Sequence, residues 1–115
     1  MIRYVYVAGP ITSSGGEGVI PNIRAGVLTG ERLRRDGLVP FIPHTSAIWE
    51  LVTPLSYEDI MAVDFAWLAK CDAVLRMPGL SRGADREVQE ATRLGIPVFY
   101  SEADLLAAAF PCPLV

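Results

Sequence analysis

Short apolar segments alternate with longer segments of helical periodicity along this chain, and that alternation limits the folds available to it. Segments 2–8, 38–42, 72–77 and 96–100 are rich in β-branched and aromatic residues and have the length of strands. A repeated strand–helix order is typical of a parallel sheet whose right-handed crossovers place helices on both faces. The sequence therefore predicts a flavodoxin- or Rossmann-like three-layer α/β/α fold with a mainly parallel sheet of about four strands.

The segments between these strands predict four helices. Gly37 and Gly95 are helix stop signals, and Ser56 is a candidate N-cap. Residues 9–19 and 43–55 are predicted to be loops. The predicted helices span 20–36, 56–70, 83–94 and 102–110. The first of them is expected to bury one face formed by Ile23, Val27, Leu28 and Leu33.

Composition bounds the class of protein. The chain has 115 residues, of which 51% are apolar and 20% charged, so we expect a single domain over residues 1–115. A net charge of −3 argues against a nucleic-acid polymer or a membrane surface as partner. Two cysteines (Cys71 and Cys112), one histidine (His44) and a start without a leader pattern predict a cytoplasmic protein without a metal centre.

Two carboxylates lie on helix faces that are otherwise apolar. Glu87 falls among Ala84, Val88, Ala91 and Leu94, and Asp64 falls among Ile60, Val63, Trp67 and Cys71. A buried carboxylate needs a partner or takes up a proton. Two interpretations are therefore open: a structural ion pair with Arg76 or Arg82, or a pair of catalytic carboxyl groups.

Position favours a catalytic role for these carboxylates. Glu87 lies near the start of a helix that follows the third strand, where a parallel sheet binds its ligands. Helix N-terminal amides favour an anion, so we expect Glu87 to stay ionised and able to act as a nucleophile. Such a pair is suited to breaking a glycosidic bond, with Asp64 moving the proton.

Two glycine-containing segments, 8–12 and 78–83, follow the first and third strands and predict backbone contact with a polar or anionic ligand. Neither is a dinucleotide or Walker A motif, so no cofactor is expected. Tyr6 and Trp49 are candidates to flank a base or to pack in the core, and His44 is expected in a loop or lid. The candidate substrate-binding residues are Gly9, Pro10, Ile11, Ser81, Gly83, Trp49 and His44.

The motifs resemble those of the nucleoside 2-deoxyribosyltransferase-like superfamily, and within it the DUF4406 branch. The resemblance covers nearly the whole chain, and its most specific part is Ser81-Arg82-Gly83-Ala84-Asp85-Arg86-Glu87. The other matching segments are Tyr6-Val7-Ala8-Gly9-Pro10-Ile11-Thr12, Asn22, Val39-Pro40-Phe41-Ile42-Pro43, Trp49, Asp64-Phe65-Ala66-Trp67-Leu68, Cys71-Asp72-Ala73-Val74 and Gly95-Ile96-Pro97-Val98.

This resemblance implies a role for several residues. Glu87 would be the nucleophile that forms a glycosyl-enzyme intermediate, Asp64 the proton donor to the leaving base, and Tyr6 a neighbour of the sugar. Ser81 stands where nucleoside transferases carry an aspartate for the 5′-hydroxyl and where nucleotide N-hydrolases carry a serine for the 5′-phosphate. The resemblance also implies a homodimer or a higher homo-oligomer.

The expected function is N-glycosidic bond cleavage on a nucleoside 5′-monophosphate or a related (deoxy)nucleotide, by hydrolysis or by base transfer. The alternative is a nucleotide-binding or sensing module on the same fold that performs no chemistry. A phosphate-acceptor receiver domain has less support, because Ala8-Gly9-Pro10 offers no acidic pair at the end of the first strand.

Overall fold

Four strands form one parallel sheet in the computed structural model, which describes residues 1–11 and 18–111. The strands are β1 (Tyr4–Ala8), β2 (Val39–Phe41), β3 (Ala73–Arg76) and β4 (Val98–Phe99), in the order β2-β1-β3-β4. Val5 of β1 pairs with Pro40 on one side and Ala73 on the other, so β1 and β3 are the central strands. The predicted parallel sheet is confirmed, whereas Thr12 and Cys112 lie outside the described residues.

Helices cover both faces of the sheet, as the alternation of strands and helices predicts. They are α1 (Val19–Arg35), α2 (Ser46–Val52), α3 (Tyr57–Leu68), α4 (Arg82–Arg93) and α5 (Glu102–Ala109). Successive β1 side chains point to opposite faces. Val5 and Val7 belong to a core cluster with Leu33 of α1 and Leu105 of α5. Tyr6 and Ala8 belong to a second cluster with Leu68 of α3 and with Ala84 and Ala91 of α4.

Serine side chains fix where three of the helices begin: Ser56 caps α3, Ser81 caps α4 and Ser101 caps α5. The Ser56 hydroxyl accepts a hydrogen bond from the Asp59 amide at 3.0 Å, which confirms the predicted cap of α3. Ser81 does the same for α4, accepting from the Ala84 amide at 3.0 Å. These bonds satisfy amides that a helix start otherwise leaves unpaired.

The prediction of a loop over 43–55 is wrong for residues 43–52 and correct for 53–55. A 3-10 turn over Pro43–Thr45 leads directly into α2. Pro43 stands at the first position of the turn, where its fixed φ and missing amide hydrogen cost nothing. Residues 46–52 contain neither glycine nor proline, so nothing in them prevents a helix from continuing.

The predicted buried face of α1 is also wrong in part. Val27 and Leu28 are 40% and 42% exposed, while Gly26, Gly30 and Thr29 are buried together with Leu33. A Cβ on Gly26 would lie 2.5 Å from Cγ of His44, and one on Gly30 would lie 2.2 Å from Cδ1 of Ile42. The helix therefore approaches the sheet through its small residues, a contact that hydrophobic periodicity does not register.

No helix within the described residues is long and apolar enough to cross a membrane.

Candidate active site

Glu87 is buried in the second turn of α4. Its side chain shares the inner face of the helix with Ala84 and Ala91, and Glu87 is 5% exposed. The sequence placed Glu87 on this face correctly, although Leu94, assigned to the same stripe, is 39% exposed. The two alanines are small enough to bring the helix close to the sheet, so the carboxyl group comes to lie against β1.

Asp64 is buried in the middle of α3, but its neighbours differ from the predicted stripe. The buried residues of the helix are Met61, Asp64 and Leu68. Val63 and Trp67, which were expected in the core, are 37% and 54% exposed. The helix is apolar on more than one side, so its periodicity did not single out the inner face. Asp64 itself is 4% exposed, as expected of a carboxylate that faces inward.

Tyr6 is hydrogen-bonded to Glu87 and is affected by the charge of Asp64. It is fully buried on β1, and its hydroxyl donates a hydrogen bond to Oε2 of Glu87. Burial, followed by the negative charges of Glu87 and Asp64, raises the pKa of Tyr6 far above its usual value. Tyr6 therefore remains a protonated donor, and β1, α3 and α4 contribute one polar group each to a common site.

The ionisation of Glu87 differs from the sequence expectation. Burial raises the pKa of Glu87 from 4.5 to about 8, a change that the hydrogen bond from Tyr6 opposes and the charge of Asp64 reinforces. The expectation that Glu87 stays ionised is thus wrong for the free protein, because burial of the carboxyl group favours its neutral form. Burial also raises the pKa of Asp64 to about 6. Near neutral pH the two carboxyl groups titrate as a pair that retains a proton.

The structural alternative, an ion pair to an arginine, does not describe this site. Among the described residues, neither Asp64 nor Glu87 forms a salt bridge. Arg76 is bonded to Asp85 at 3.1 Å, and its charge lowers the pKa of Glu87 from a greater distance. The carboxyl pair is therefore not neutralised by direct contact with a cation.

A cavity of about 170 Å³ opens beside Asp64, between α2 and α3. Polar lining comes from Asp64, Thr45 and Ser46. Trp49, 47% exposed, forms part of the wall, and its role in binding stays a prediction. The apolar lining consists of Phe41, Pro43, Trp49, Leu55, Ile60, Val63 and Trp67. A flat, mostly apolar group such as a nucleobase suits this lining, with Asp64 at its edge.

The loops after β1 and β3 lie against each other at the mouth of the sheet. A Cβ on Gly9 would be 2.9 Å from Sδ of Met77, and one on Gly79 would be 2.9 Å from Cγ of Pro10. Gly79 also has a φ of +113°, which favours glycine. The carbonyl of Ile11 accepts a hydrogen bond of 3.4 Å from Nδ2 of Asn22. The predicted segment Gly9, Pro10 and Ile11 thus lies beyond the carboxyl end of β1, against the loop after β3, and none of its three residues lines the cavity.

Ser81 and Gly83 lie at the N-terminal end of α4, as predicted. The Ser81 hydroxyl is engaged as the N-cap. A Cβ on Gly83 would lie 3.4 Å from the Tyr57 hydroxyl oxygen and 4.0 Å from Oγ of Ser81. Sequence reasoning missed Tyr57, because a tyrosine at the start of a helix carries no signal of its own. Hydroxyl groups from two helices therefore accompany the positive end of α4.

His44 does not occupy an open loop. It is fully buried, its ring lies against Gly26, and neither ring nitrogen has a hydrogen-bond partner among the described residues. Burial lowers the pKa of His44 to about 4, and the backbone of Pro10 opposes this only weakly. His44 is not among the residues that line the cavity. The ring of His44 is instead affected by the backbone of Pro10, in the segment that follows β1.

Two aromatic rings of the cavity were not recognised as site residues from the sequence. Phe41 lies 5.4 Å from the ring of Tyr6 and 5.6 Å from the ring of Trp67, measured between centroids. The sequence predicted Phe41 only as part of a strand and Trp67 only as part of the apolar helix face around Asp64. In the sequence, Phe41 lies near the end of a predicted strand and Trp67 lies on the predicted helix that carries Asp64. These two positions indicate a shared site only once β2 is known to neighbour β1.

Comparisons with known proteins give a family and a fold. A model of the family described as "Domain of unknown function (DUF4406)" matches residues 3–100. No curated protein matches the chain. The solved structure titled "Solution Structure of BlsM" matches with a TM-score of 0.64 and 21% sequence identity, and the match covers 95% of this chain and 71% of that one. At that identity the likeness shows the fold.

Proposed function

The chain belongs to the DUF4406 family, and we propose that it is an enzyme of the nucleoside 2-deoxyribosyltransferase-like superfamily. The proposed reaction is N-glycosidic bond cleavage on a nucleoside 5′-monophosphate or a related (deoxy)nucleotide. The observation that carries this proposal is the convergence of Tyr6, Glu87 and Asp64, from three different elements, beside an aromatic cavity. A core without a reaction to perform gains nothing from two buried carboxyl groups without a salt bridge.

The proposed chemistry divides between the two carboxyl groups. An oxygen of ionised Glu87 attacks C1′ of the sugar, the N-glycosidic bond breaks, and the leaving base takes the proton held by Asp64. Water then attacks C1′ of the glycosyl ester, gives its proton to Asp64 and releases Glu87 as a carboxylate. A second base in place of water gives transfer. The Tyr6 hydroxyl stabilises the Glu87 carboxylate whenever it is free.

The raised pKa values of the pair, about 8 for Glu87 and about 6 for Asp64, leave the proton on Glu87 in the free site, so the proposed division requires that substrate binding moves it to Asp64. Near neutral pH the free site holds one of the two carboxyl groups protonated. A sugar that develops positive charge beside Glu87 favours the ionised form of this residue. The shared proton then resides on Asp64, which borders the cavity proposed for the base.

The end of α4 supports a phosphate at the 5′ position. The Ser81 hydroxyl, the amides of the first turn and the Tyr57 hydroxyl lie together there. An anion is favoured at this end of a helix. No metal or cofactor takes part in the proposed reaction.

The homo-oligomer implied by the resemblance remains a proposal, and α2 supports it. None of the residues of α2, all of which the structure describes, is buried. Ile48, Leu51 and Val52 are 67%, 85% and 82% exposed. Sedimentation velocity on the wild-type protein and on Leu51→Glu tests this: a wild-type monomer contradicts the proposal.

Release of free base from a panel of nucleoside 5′-monophosphates tests the reaction, with Glu87→Gln as the matched control. Base released by the wild-type protein and not by the variant supports the proposal. Binding of a nucleotide without release leaves the alternative of a binding module on the same fold. Release that is equal in both proteins rejects Glu87 as the nucleophile.

A further inference from the structure

Arg76 lies at the carboxyl end of β3, where its side chain contacts both the β3–α4 loop and the first turn of α4. It is the last residue of β3, its side chain is 10% exposed, and its strand lies next to β1. Its guanidinium donates to the carbonyls of Met77 and Gly79 and to the carboxylate of Asp85. One side chain therefore ties the end of a central strand to the loop that follows and to the first turn of α4.

The backbone of this loop depends on a glycine and on a close contact with the neighbouring loop. Gly79 has a φ of +113° and lies against Pro10 of the loop after β1. Two residues further on, Ser81 caps α4 and begins the turn proposed to receive the phosphate. A planar guanidinium with several donors can fix carbonyls at two different residues, which a lysine ammonium does with less geometric definition.

The charge of Arg76 has a second effect. Asp85, the partner in its salt bridge, has a side chain that is 64% exposed and lies in water. Glu87, by contrast, is buried on the same helix, and Arg76 favours its ionised form. The other groups that act on Glu87 are Tyr6 from β1 and Asp64 from α3.

We propose that Arg76 is a positioning residue of this site, whose hydrogen bonds shape the β3–α4 loop and whose charge, held at the first turn of α4, acts on Glu87 on the same helix. The inference deepens the function proposed above, since it concerns the same carboxyl group and the same loop. Its two parts are separable. Arg76→Lys retains the positive charge and loses the several donors of the planar guanidinium, whereas Arg76→Met loses both the charge and the donors.

Two measurements on the free protein test these parts without any substrate. Side-chain carboxyl ¹³C signals of glutamate, with that of Glu87 identified by its loss in Glu87→Gln, report the titration of Glu87. We expect the pKa of Glu87 to rise by about half a unit or more in Arg76→Met and to change little in Arg76→Lys. Amide hydrogen exchange over 79–84 should accelerate in both variants.

Arg93→Met is the matched control, because Arg93 is an exposed arginine on the same helix, paired with Glu90. It should leave the Glu87 titration and the exchange over 79–84 unchanged. An unchanged Glu87 titration in Arg76→Met overturns the inference, and so does unchanged loop exchange in Arg76→Lys. If Arg76→Met does not fold, the exchange measured in Arg76→Lys still decides. Absence of base release in the nucleotide panel contradicts the proposed reaction and alters neither result.

Discussion

Tyr6 and Glu87 share a hydrogen bond although 81 residues separate them in the chain. The bond joins the central strand β1 to helix α4 and lies within the core cluster that both elements build. It gives Glu87 a donor that cannot itself ionise at ordinary pH, because the pKa of Tyr6 is raised by burial and by the adjacent carboxyl groups. The predictions below follow from this contact and its surroundings.

Replacement of Glu87 by glutamine should abolish base release and preserve the fold. The amide keeps the volume of the carboxyl group and still accepts from Tyr6, but it does not attack C1′. Base release by chromatography and the far-ultraviolet circular dichroism spectrum check the two parts. A folded variant with wild-type turnover would falsify the assignment of the nucleophile.

Replacement of Asp64 by asparagine should reduce turnover by about 10²–10⁴-fold, the usual contribution of general acid–base catalysis. The loss should be smaller for a nucleotide whose base leaves without protonation, because such a base does not need the proton of Asp64. Turnover of substrates with good and poor leaving groups provides the comparison. Equal losses on both contradict the role of proton donor.

Replacement of Ser81 by aspartate should erode a preference for 5′-monophosphates over nucleosides. Aspartate is also a good N-cap, so α4 should be retained, while its charge repels a phosphate at the helix end. We expect the wild-type protein to bind the monophosphate about tenfold more tightly or better, the effect of one charge-assisted hydrogen bond. Competition between a nucleoside and its matched monophosphate measures this, and equal binding by the wild-type protein contradicts a phosphate subsite.

Asp64 and Glu87 should contribute stability that is lost as the pH rises from about 4 to about 8. Burial raises the pKa of Asp64 to about 6 and that of Glu87 to about 8, so these two groups hold more protons in the folded protein than in the unfolded chain across this range. In Glu87→Gln this loss should be smaller by roughly 1–3 kcal/mol between pH 5 and pH 9. Urea unfolding at both pH values measures it, and parallel curves for variant and wild type contradict it.

His44 should limit stability at the acid end. Its pKa is lowered from 6.5 to about 4, so the unfolded chain takes up the proton first and stability is lost as the pH falls through this interval. In His44→Gln this contribution should be absent, so the stability of the variant at pH 4 relative to pH 7 should exceed that of the wild-type protein. The same urea experiment at both pH values tests this, and an equal change with pH in the two proteins contradicts the role of His44.

The sequence predicted the layers of the fold and the two buried carboxyl groups because both follow from periodicity. The alternation of strands and helices determined the sheet, and a polar residue on an apolar face identified Asp64 and Glu87. Periodicity failed where packing depends on small residues or on long-range contacts. Gly26 and Gly30 carry no hydrophobic signal, yet they are where α1 approaches most closely.

The ionisation of Glu87 was beyond the sequence for a related reason. Its position near the start of a helix was correct, and the helix dipole does favour an anion. The opposing effect is desolvation, whose size depends on how completely Tyr6, Ala84 and Ala91 enclose the carboxyl group. That enclosure arises from β1 and α4 together and is not encoded in either segment alone.

The absence of buried side chains from α2 bears on the range of bases that the cavity admits. Displacing α3 or α4 would uncover core residues such as Met61 or Ala91, whereas an outward shift of α2 would uncover no fully buried side chain of its own. Expansion on that side is therefore inexpensive, and the volume of about 170 Å³ is a resting size rather than an upper limit. If the cavity receives the base as proposed, we expect discrimination between a pyrimidine and a purine to come from polar contacts at the edge of the base, where Thr45, Ser46 and Asp64 lie.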